Sequence, residues 1–211
     1  MTGIKDMPKL ESPFIRVKDK HDNYFVTPEI AMGYEWVFND DDVLATEKLD
    51  GTNVSIVMED GQIKSIWNRT ERIPFFNKGK NFITKGVLES YIRGYTNFSD
   101  GQYFGELIGE KVQGNPYSIT GNLWIPFSTY AQKHLSYKSW NKYPKTYDSI
   151  SRWFEEDLFS LFMAKHRGSI NGEMFRQFPE GIVFIKTSTG QMAKLRRDMF
   201  PWYKGRIHEN L

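Results

Sequence analysis

The chain has 211 residues, with 28 Lys and Arg, 26 Asp and Glu, four His and no Cys, and a net charge of +2. That length suits one domain with its own core, and the lack of cysteine excludes a disulfide framework, a thiolate metal site and a thiol nucleophile. Near-balanced charge permits nucleic-acid binding only where basic side chains cluster locally. The N-terminus has no apolar stretch of signal-peptide kind, and no apolar run approaches the roughly 18 residues of a membrane helix, so a soluble intracellular protein with no membrane partner is expected.

The elements read as short strands with turn signals, plus a few helices. Val43–Lys48 and Asn53–Glu59 are expected strands separated by Asp50-Gly51. Asp60-Gly61 is a hairpin turn, with Ile63–Asn68 as the returning strand. Ile83, Val87, Leu88, Tyr91 and Ile92 recur at helical spacing within Lys80–Tyr95. Tyr103–Ile108 and Leu123–Phe127 follow as strands. One long helix is expected over Asp148–His166, capped by Asp148 or Ser149 and ended by Gly168. Gly181–Lys186 and Met192–Arg197 form a second hairpin. Strands and helices mix without βαβ alternation, which predicts an α+β fold with antiparallel sheets.

Chemistry concentrates in Thr46-Glu47-Lys48-Leu49-Asp50-Gly51-Thr52-Asn53. A lysine that ends a strand just before a tight turn is held by rigid backbone at the lip of a sheet. Its amine is a nucleophile only when neutral, and burial or nearby cations favour that form. The same pattern also suits a plain surface lysine before a turn. Downstream come Asn68-Arg69-Thr70, Phe104-Gly105-Glu106-Leu107-Ile108-Gly109, Glu180-Gly181-Ile182-Val183 and Ala193-Lys194-Leu195-Arg196.

This ordered set resembles the covalent nucleotidyltransferase superfamily of ATP-dependent ligases and messenger-RNA capping enzymes, over about residues 43–197. DNA ligases and capping enzymes usually carry Arg five residues after the nucleophile, where this chain has Asn53. Glu-Lys-Leu-Asp-Gly-Thr-Asn is similar to the RNA-ligase-2-type branch, and residues 105–117 resemble small phage-type RNA ligases. The resemblance implies two antiparallel sheets with flanking helices and ATP bound between them. It also implies a monomer in the cytoplasm of a bacterium or a phage-infected cell. One nucleotidyltransferase domain is expected over residues 1–211, without an appended oligonucleotide-binding or helical domain.

By the same resemblance, Lys48 forms a lysyl-AMP intermediate from ATP with Mg²⁺ or Mn²⁺. The AMP passes to a 5′-phosphate end, and a 3′-hydroxyl then seals the strand, in RNA or at a nicked duplex. Such chemistry depends on positioning and charge neutralisation. Arg69, expected on a strand, binds phosphate, and Glu106 meets the ribose or supports the metal. Glu180 contributes to the metal site through water, with Asn53 beside it. Lys194 and Arg196 sit at i and i+2 on one strand face, where they stabilise the transferring phosphate. Glu47 points to the opposite side from Lys48, so its backbone more than its side chain meets adenine. Phe127, with Trp124 second, stacks on the base, although core packing suits either ring equally. Ser128 stands where relatives often carry an acid, and Ile185 where they carry lysine; Lys186 comes one residue later, on the other face.

From Lys111 to Tyr147 there is no Asp or Glu. Lys133, Lys138, Trp140 and Lys142 in this stretch are candidate RNA contacts, because cations interleaved with aromatics suit a single strand. A solvated loop with its aromatics packed on the core fits the same residues. Two alternatives stay open: a DNA ligase or nick-sealing enzyme with loose sugar preference, and a non-catalytic protein that binds nucleotides or nucleic-acid ends.

Overall fold

The structure is a computed structural model; it describes residues 3–204 apart from 21, 77, 143, 168, 171, 172 and 175. In chain order the elements are β1 (Phe14–Lys18), β2 (Tyr24–Ile30), α1 (Trp36–Asn39), β3 (Val43–Lys48), β4 (Thr52–Glu59), β5 (Gln62–Asn68) and β6 (Glu71–Ile73). Then follow α2 (Asn81–Ile92), β7 (Gly101–Gly109), β8 (Asn122–Pro126), α3 (Gln132–His134), α4 (Tyr147–Arg152) and α5 (Leu161–Arg167). The chain continues with β9 (Ser169–Ile170), β10 (Glu173–Met174), β11 (Gly181–Lys186) and β12 (Met192–Arg196). The fold is α+β with antiparallel sheets, as expected. Among the described residues, no helix is long and apolar enough to cross a membrane.

The described residues divide into two compact units, one within Met1–Lys9 and Leu49–His134, the other within Leu10–Lys48 and Leu135–Leu211. The first is built on a five-stranded sheet of order β6-β5-β4-β7-β8. Its β4–β5 hairpin turns at Asp60 and Gly61, both in the left-handed region with φ of 52° and 70°. Asp and Gly tolerate that backbone, and its twist matches the flanking strands. One face of the sheet carries Val54, Ile56, Leu107 and Trp124, which join Ile83 and Val87 of α2 in a core.

The buried face of α2 is not the one its apolar spacing predicts. Ile83 and Val87 are buried, but the rest of that face is Thr84, Gly86 and Ser90. Leu88, Tyr91 and Ile92 are exposed. Close approach decides this: a Cβ on Gly86 would lie 2.4 Å from Leu107, so only a small residue lets the helix rest on the sheet. Ser90 then accepts a hydrogen bond from the Trp124 amide at 3.0 Å.

The second unit has a three-stranded sheet of order β12-β11-β3 and the β1–β2 hairpin. Val43 and Ala45 of β3, Ile182 and Phe184 of β11, and Ala193 and Leu195 of β12 are buried with Ile150, Phe154 and Leu158. The long helix expected over Asp148–His166 is two helices. α4 is capped by Thr146, whose hydroxyl accepts from the Ser149 amide, rather than by Asp148 or Ser149. A π-helical turn, Trp153–Asp157, follows, and the chain leaves helical geometry until α5. Ser160 starts that second helix, accepting from the Met163 amide at 3.1 Å as an N-cap does. Gly168, the expected stop, lies outside the described residues.

The five-stranded sheet depends on Gly105. A Cβ there would lie 2.5 Å from the Ile125 carbonyl and 2.6 Å from the Trp124 ring. Trp124 is fully buried, and its indole N–H donates to the Val54 carbonyl at 2.9 Å. We therefore expect Gly105→Ala to destabilise the protein by about 2 kcal/mol or more through overpacking. Urea unfolding followed by tryptophan fluorescence measures this.

Candidate active site

In β3 the side chains alternate, and the register places the consequences. Lys48 faces Gly181 across the pair with β11, and Gly181 faces Arg196 across the pair with β12. One row over, Thr46 faces Val183, which faces Lys194. Directly opposed residues share a sheet face. One face of this sheet therefore carries Lys48, Lys194 and Arg196 together. Gly181 sits in the row between Lys48 and Arg196 and adds no side chain. A Cβ there would lie 2.1 Å from the Leu195 carbonyl, so the close strand approach needs glycine.

Glu180 joins this cluster from the start of β11. Its carboxylate contacts the Lys48 ammonium and lies 3.8 Å from the Arg196 guanidinium. Asp198 holds Arg196 from the other side, at 3.1 Å from Nε. Both Lys48 and Glu180 keep about a fifth of their side-chain surface exposed, so a ligand can reach them. Burial lowers the Lys194 pKa from its usual value, and the nearby Arg196 and Lys48 charges lower it further. A site with three cations on one face favours an anion such as phosphate.

Glu47 points the other way, as the alternation requires. It is buried, and its carboxylate accepts from the Ser160 hydroxyl at 2.5 Å and the Phe162 amide at 2.8 Å. Its own amide donates to the Leu135 carbonyl at 2.8 Å. Side chain and amide thus both tie β3 to neighbouring segments. Lys186 likewise turns from the Lys48 face and pairs with Asp40.

The first unit holds the other expected residues. Asn53 of β4 faces Glu106 of β7 in register, on the sheet face opposite the α2 core. The Asn53 Oδ1 is buried and has no hydrogen-bond partner among the described residues. Such an orphaned acceptor suits a ligand or a hydrated cation. No group of three or more His, Asp or Glu among the described residues could hold a bare metal ion. The orphaned Asn53 Oδ1 fits the water shell of a divalent cation that keeps most of its waters.

Arg69 lies in the turn between β5 and β6 rather than on a strand. Its φ is 55°, an uncommon value for a residue with a side chain. Its guanidinium lies 3.4 Å from Asp6. Phe127 does not continue β8; it opens a π-helical turn and is half-buried. Trp124, its second choice, is core.

The acid-free stretch is also corrected. Trp140 is only 4% exposed and packs on Phe184, with centroids 4.7 Å apart, so it is no free stacking platform. Tyr137 is buried and donates to the Phe159 carbonyl, and Tyr147 donates to the Val26 carbonyl. Tyr143 lies outside the described residues. Lys133, Lys138 and Lys142 are exposed, Lys133 in the first unit and the other two in the second. Sequence reasoning missed Asp198 as the brace of Arg196, and nothing in its local pattern marks it.

A family model for RNA ligases matches residues 41–199. The chain belongs to the RNA ligase family. The match spans every ordered motif from Lys48 to Arg196. An RNA ligase from Naegleria gruberi with pyrophosphate has the same fold: 18% identity, a TM-score of 0.50, and coverage of 77% of this chain and 52% of that one. An apo mutant of that ligase gives 16%, 0.52, 92% and 58%. A mutant with ATP and Mn gives 17%, 0.51, 92% and 58%. The chain thus spans somewhat more than half the length of that ligase. No curated protein matches it by sequence.

Burial pushes the Glu47 carboxyl up to about 7 from an ordinary 4.5, against the hydrogen bonds that hold its charged form. Between those values the folded chain binds more protons here than the unfolded chain does. Stability from this group is therefore full below about pH 4.5 and is lost as pH rises towards 7. The whole effect is on the order of 3 kcal/mol. In Glu47→Gln, which can still bond Ser160, the fall in thermal midpoint across this window should shrink relative to wild type.

Proposed function

We propose that the protein is an ATP-dependent RNA ligase that joins a 3′-hydroxyl to a 5′-phosphate through a lysyl-AMP intermediate on Lys48. The convergence of Lys48, Glu180, Lys194 and Arg196 on one face of β3-β11-β12 carries this reading. A strand-end lysine in contact with a carboxylate and flanked by two cations is equipped for phosphoryl transfer.

In the first step the Lys48 nitrogen attacks the α-phosphorus of ATP. A P–N bond forms, the bond to the β-phosphate oxygen breaks, and pyrophosphate leaves. Glu180, touching the Lys48 ammonium, is placed to take the proton that makes the amine nucleophilic. Lys194 and Arg196 neutralise the equatorial oxygens of the transferring group. A 5′-phosphate oxygen of the RNA then attacks the same phosphorus, breaking the P–N bond and restoring Lys48. The 3′-hydroxyl oxygen finally attacks the activated 5′-phosphorus and AMP leaves. A divalent cation, when bound, supplies further charge neutralisation on the phosphates, and Glu180 is the acid of the second unit that would face its hydration shell. Phosphate, metal, ribose and base roles for Arg69, Asn53, Glu106 and Phe127 rest on the resemblance of their motifs. Relatives captured with ATP and Mn, and with pyrophosphate, support the choice of nucleotide and cation.

The test is covalent labelling. With α-labelled ATP and Mg²⁺ or Mn²⁺, the wild-type chain should carry acid-labile AMP, and Lys48→Ala should carry none. Glu180→Gln should label about 100-fold more slowly. Lys194→Ala and Arg196→Ala should lose about 100-fold in rate as well. Label that persists in Lys48→Ala would overturn the reading. Sealing of 5′-phosphorylated RNA should exceed sealing of all-DNA nicks; the reverse order would point to a DNA ligase.

A further inference from the structure

A second recess lies in the second unit, away from the phosphate-facing cluster. It is a cavity of about 670 Å³, and Trp140, Lys145, Ser149, Arg152, Trp153 and Asp157 are among its lining residues. Trp140 and Trp153 stand with centroids 6.2 Å apart and planes 29° from parallel. Trp140 is sealed into the core, whereas Trp153 keeps part of its surface open. The Lys145 ammonium sits 5.3 Å from the Trp140 ring centroid. Arg152 is exposed and makes no ion pair among the described residues. Asp157 is the one acid among the lining residues.

The position relative to Lys48 follows from the same alternation. Trp140 packs on Phe184, and Phe184 faces Ala45 in register, on the face opposite Lys48. ATP bound here could not present its α-phosphate to the nucleophile. Burial lowers the Lys145 pKa, while Asp41 and Asp40 work against that shift, and an incoming anion would likewise favour the ammonium.

We propose that this recess holds one nucleotide of the RNA strand at a distance from the reacting end, its base against Trp153 and its phosphate between Lys145 and Arg152. The inference rests on the ligase reading above and names a substrate grip for it. The chemistry selects a nucleotide: a planar ring for stacking, two cations for a phosphate, and Ser149 and Asp157 for a base edge. The volume lies in the ordinary range for a small ligand. The recess also gives a role to the exposed lysines at positions 138 and 142, which stand on the same stretch of chain.

Two measurements on the full chain test it. Fluorescence anisotropy with a single-stranded, 5′-phosphorylated oligoribonucleotide should show binding weakened about tenfold or more by Arg152→Glu, with a shallower salt dependence. Arg152 is exposed, and a thermal unfolding midpoint near that of wild type certifies the fold of the variant. Independently, 5-iodouridine-substituted RNA irradiated on the wild-type protein should cross-link to Trp153, located by peptide mass spectrometry. Unchanged RNA affinity in Arg152→Glu, or cross-links confined to residues outside 138–157, would overturn the inference. Failure of the wild-type chain to label with AMP would instead overturn the ligase reading, so the two failures are distinguishable.

Discussion

The alternation of side chains along β3 is the constraint on which the second unit depends. Glu47 and Lys48 are neighbours in sequence and opposites in environment. One carboxylate goes down into a core of Ile182, Phe184 and Leu195, while the next side chain rises to meet Glu180. A slip of one residue in the β3–β11 register would exchange them, burying an ammonium and exposing the group that ties β3 to α5. The Thr46 hydroxyl, bonded to the Val183 carbonyl at 3.0 Å, stands against such a slip. The amide of Glu47 and the carbonyl of Ala45, each bonded to the segment 135–137, stand against it too.

Charge at the site is arranged by the same register. Lys48, Lys194 and Arg196 would repel one another on a bare surface. Glu180 and Asp198 offset them without removing the excess, which favours an anion. Burying Glu47 has a cost, which shows as a raised pKa and which two hydrogen bonds reduce: one from the Ser160 hydroxyl and one from the Phe162 amide at the start of α5. Ser160 serves twice, donating to Glu47 and accepting from Met163, so the break between α4 and α5 and the anchoring of β3 are one feature.

The β4–β5 and β11–β12 hairpins, the strand that ends on Lys48 and the α+β class were legible because period-two patterning and glycine-containing turns are local signals; the β1–β2 hairpin carried no such turn and was missed. The divergent faces of Glu47 and Lys48 were legible for the same reason. The apparent helix over Asp148–His166 was not, because periodicity alone cannot distinguish one helix from two that share a core. The break is set by Ser160, whose partners are 113 residues away at Glu47 and on the neighbouring Gln177 carbonyl. The wrong face of α2 has a similar origin: Gly86 and Ser90 look like weak positions until Leu107 and Trp124 come up against them.

By itself, the sequence determined the family. It supplied a lysine at a strand end, a carboxylate and two spaced cations, in an order that matches RNA ligases. Those are statements about residue type and short spacing, which need no partner to be read. Tertiary structure decided which aromatics are free. In the acid-free stretch, Trp140 reads as a stacking residue, yet Phe184 claims it for the core, as the Phe159 and Val26 carbonyls hold Tyr137 and Tyr147. Burying a large ring removes more apolar surface from water than a solvated loop can offer, so the ring goes inward wherever a neighbour exists. Lys138 and Lys142, beside them, stayed at the surface.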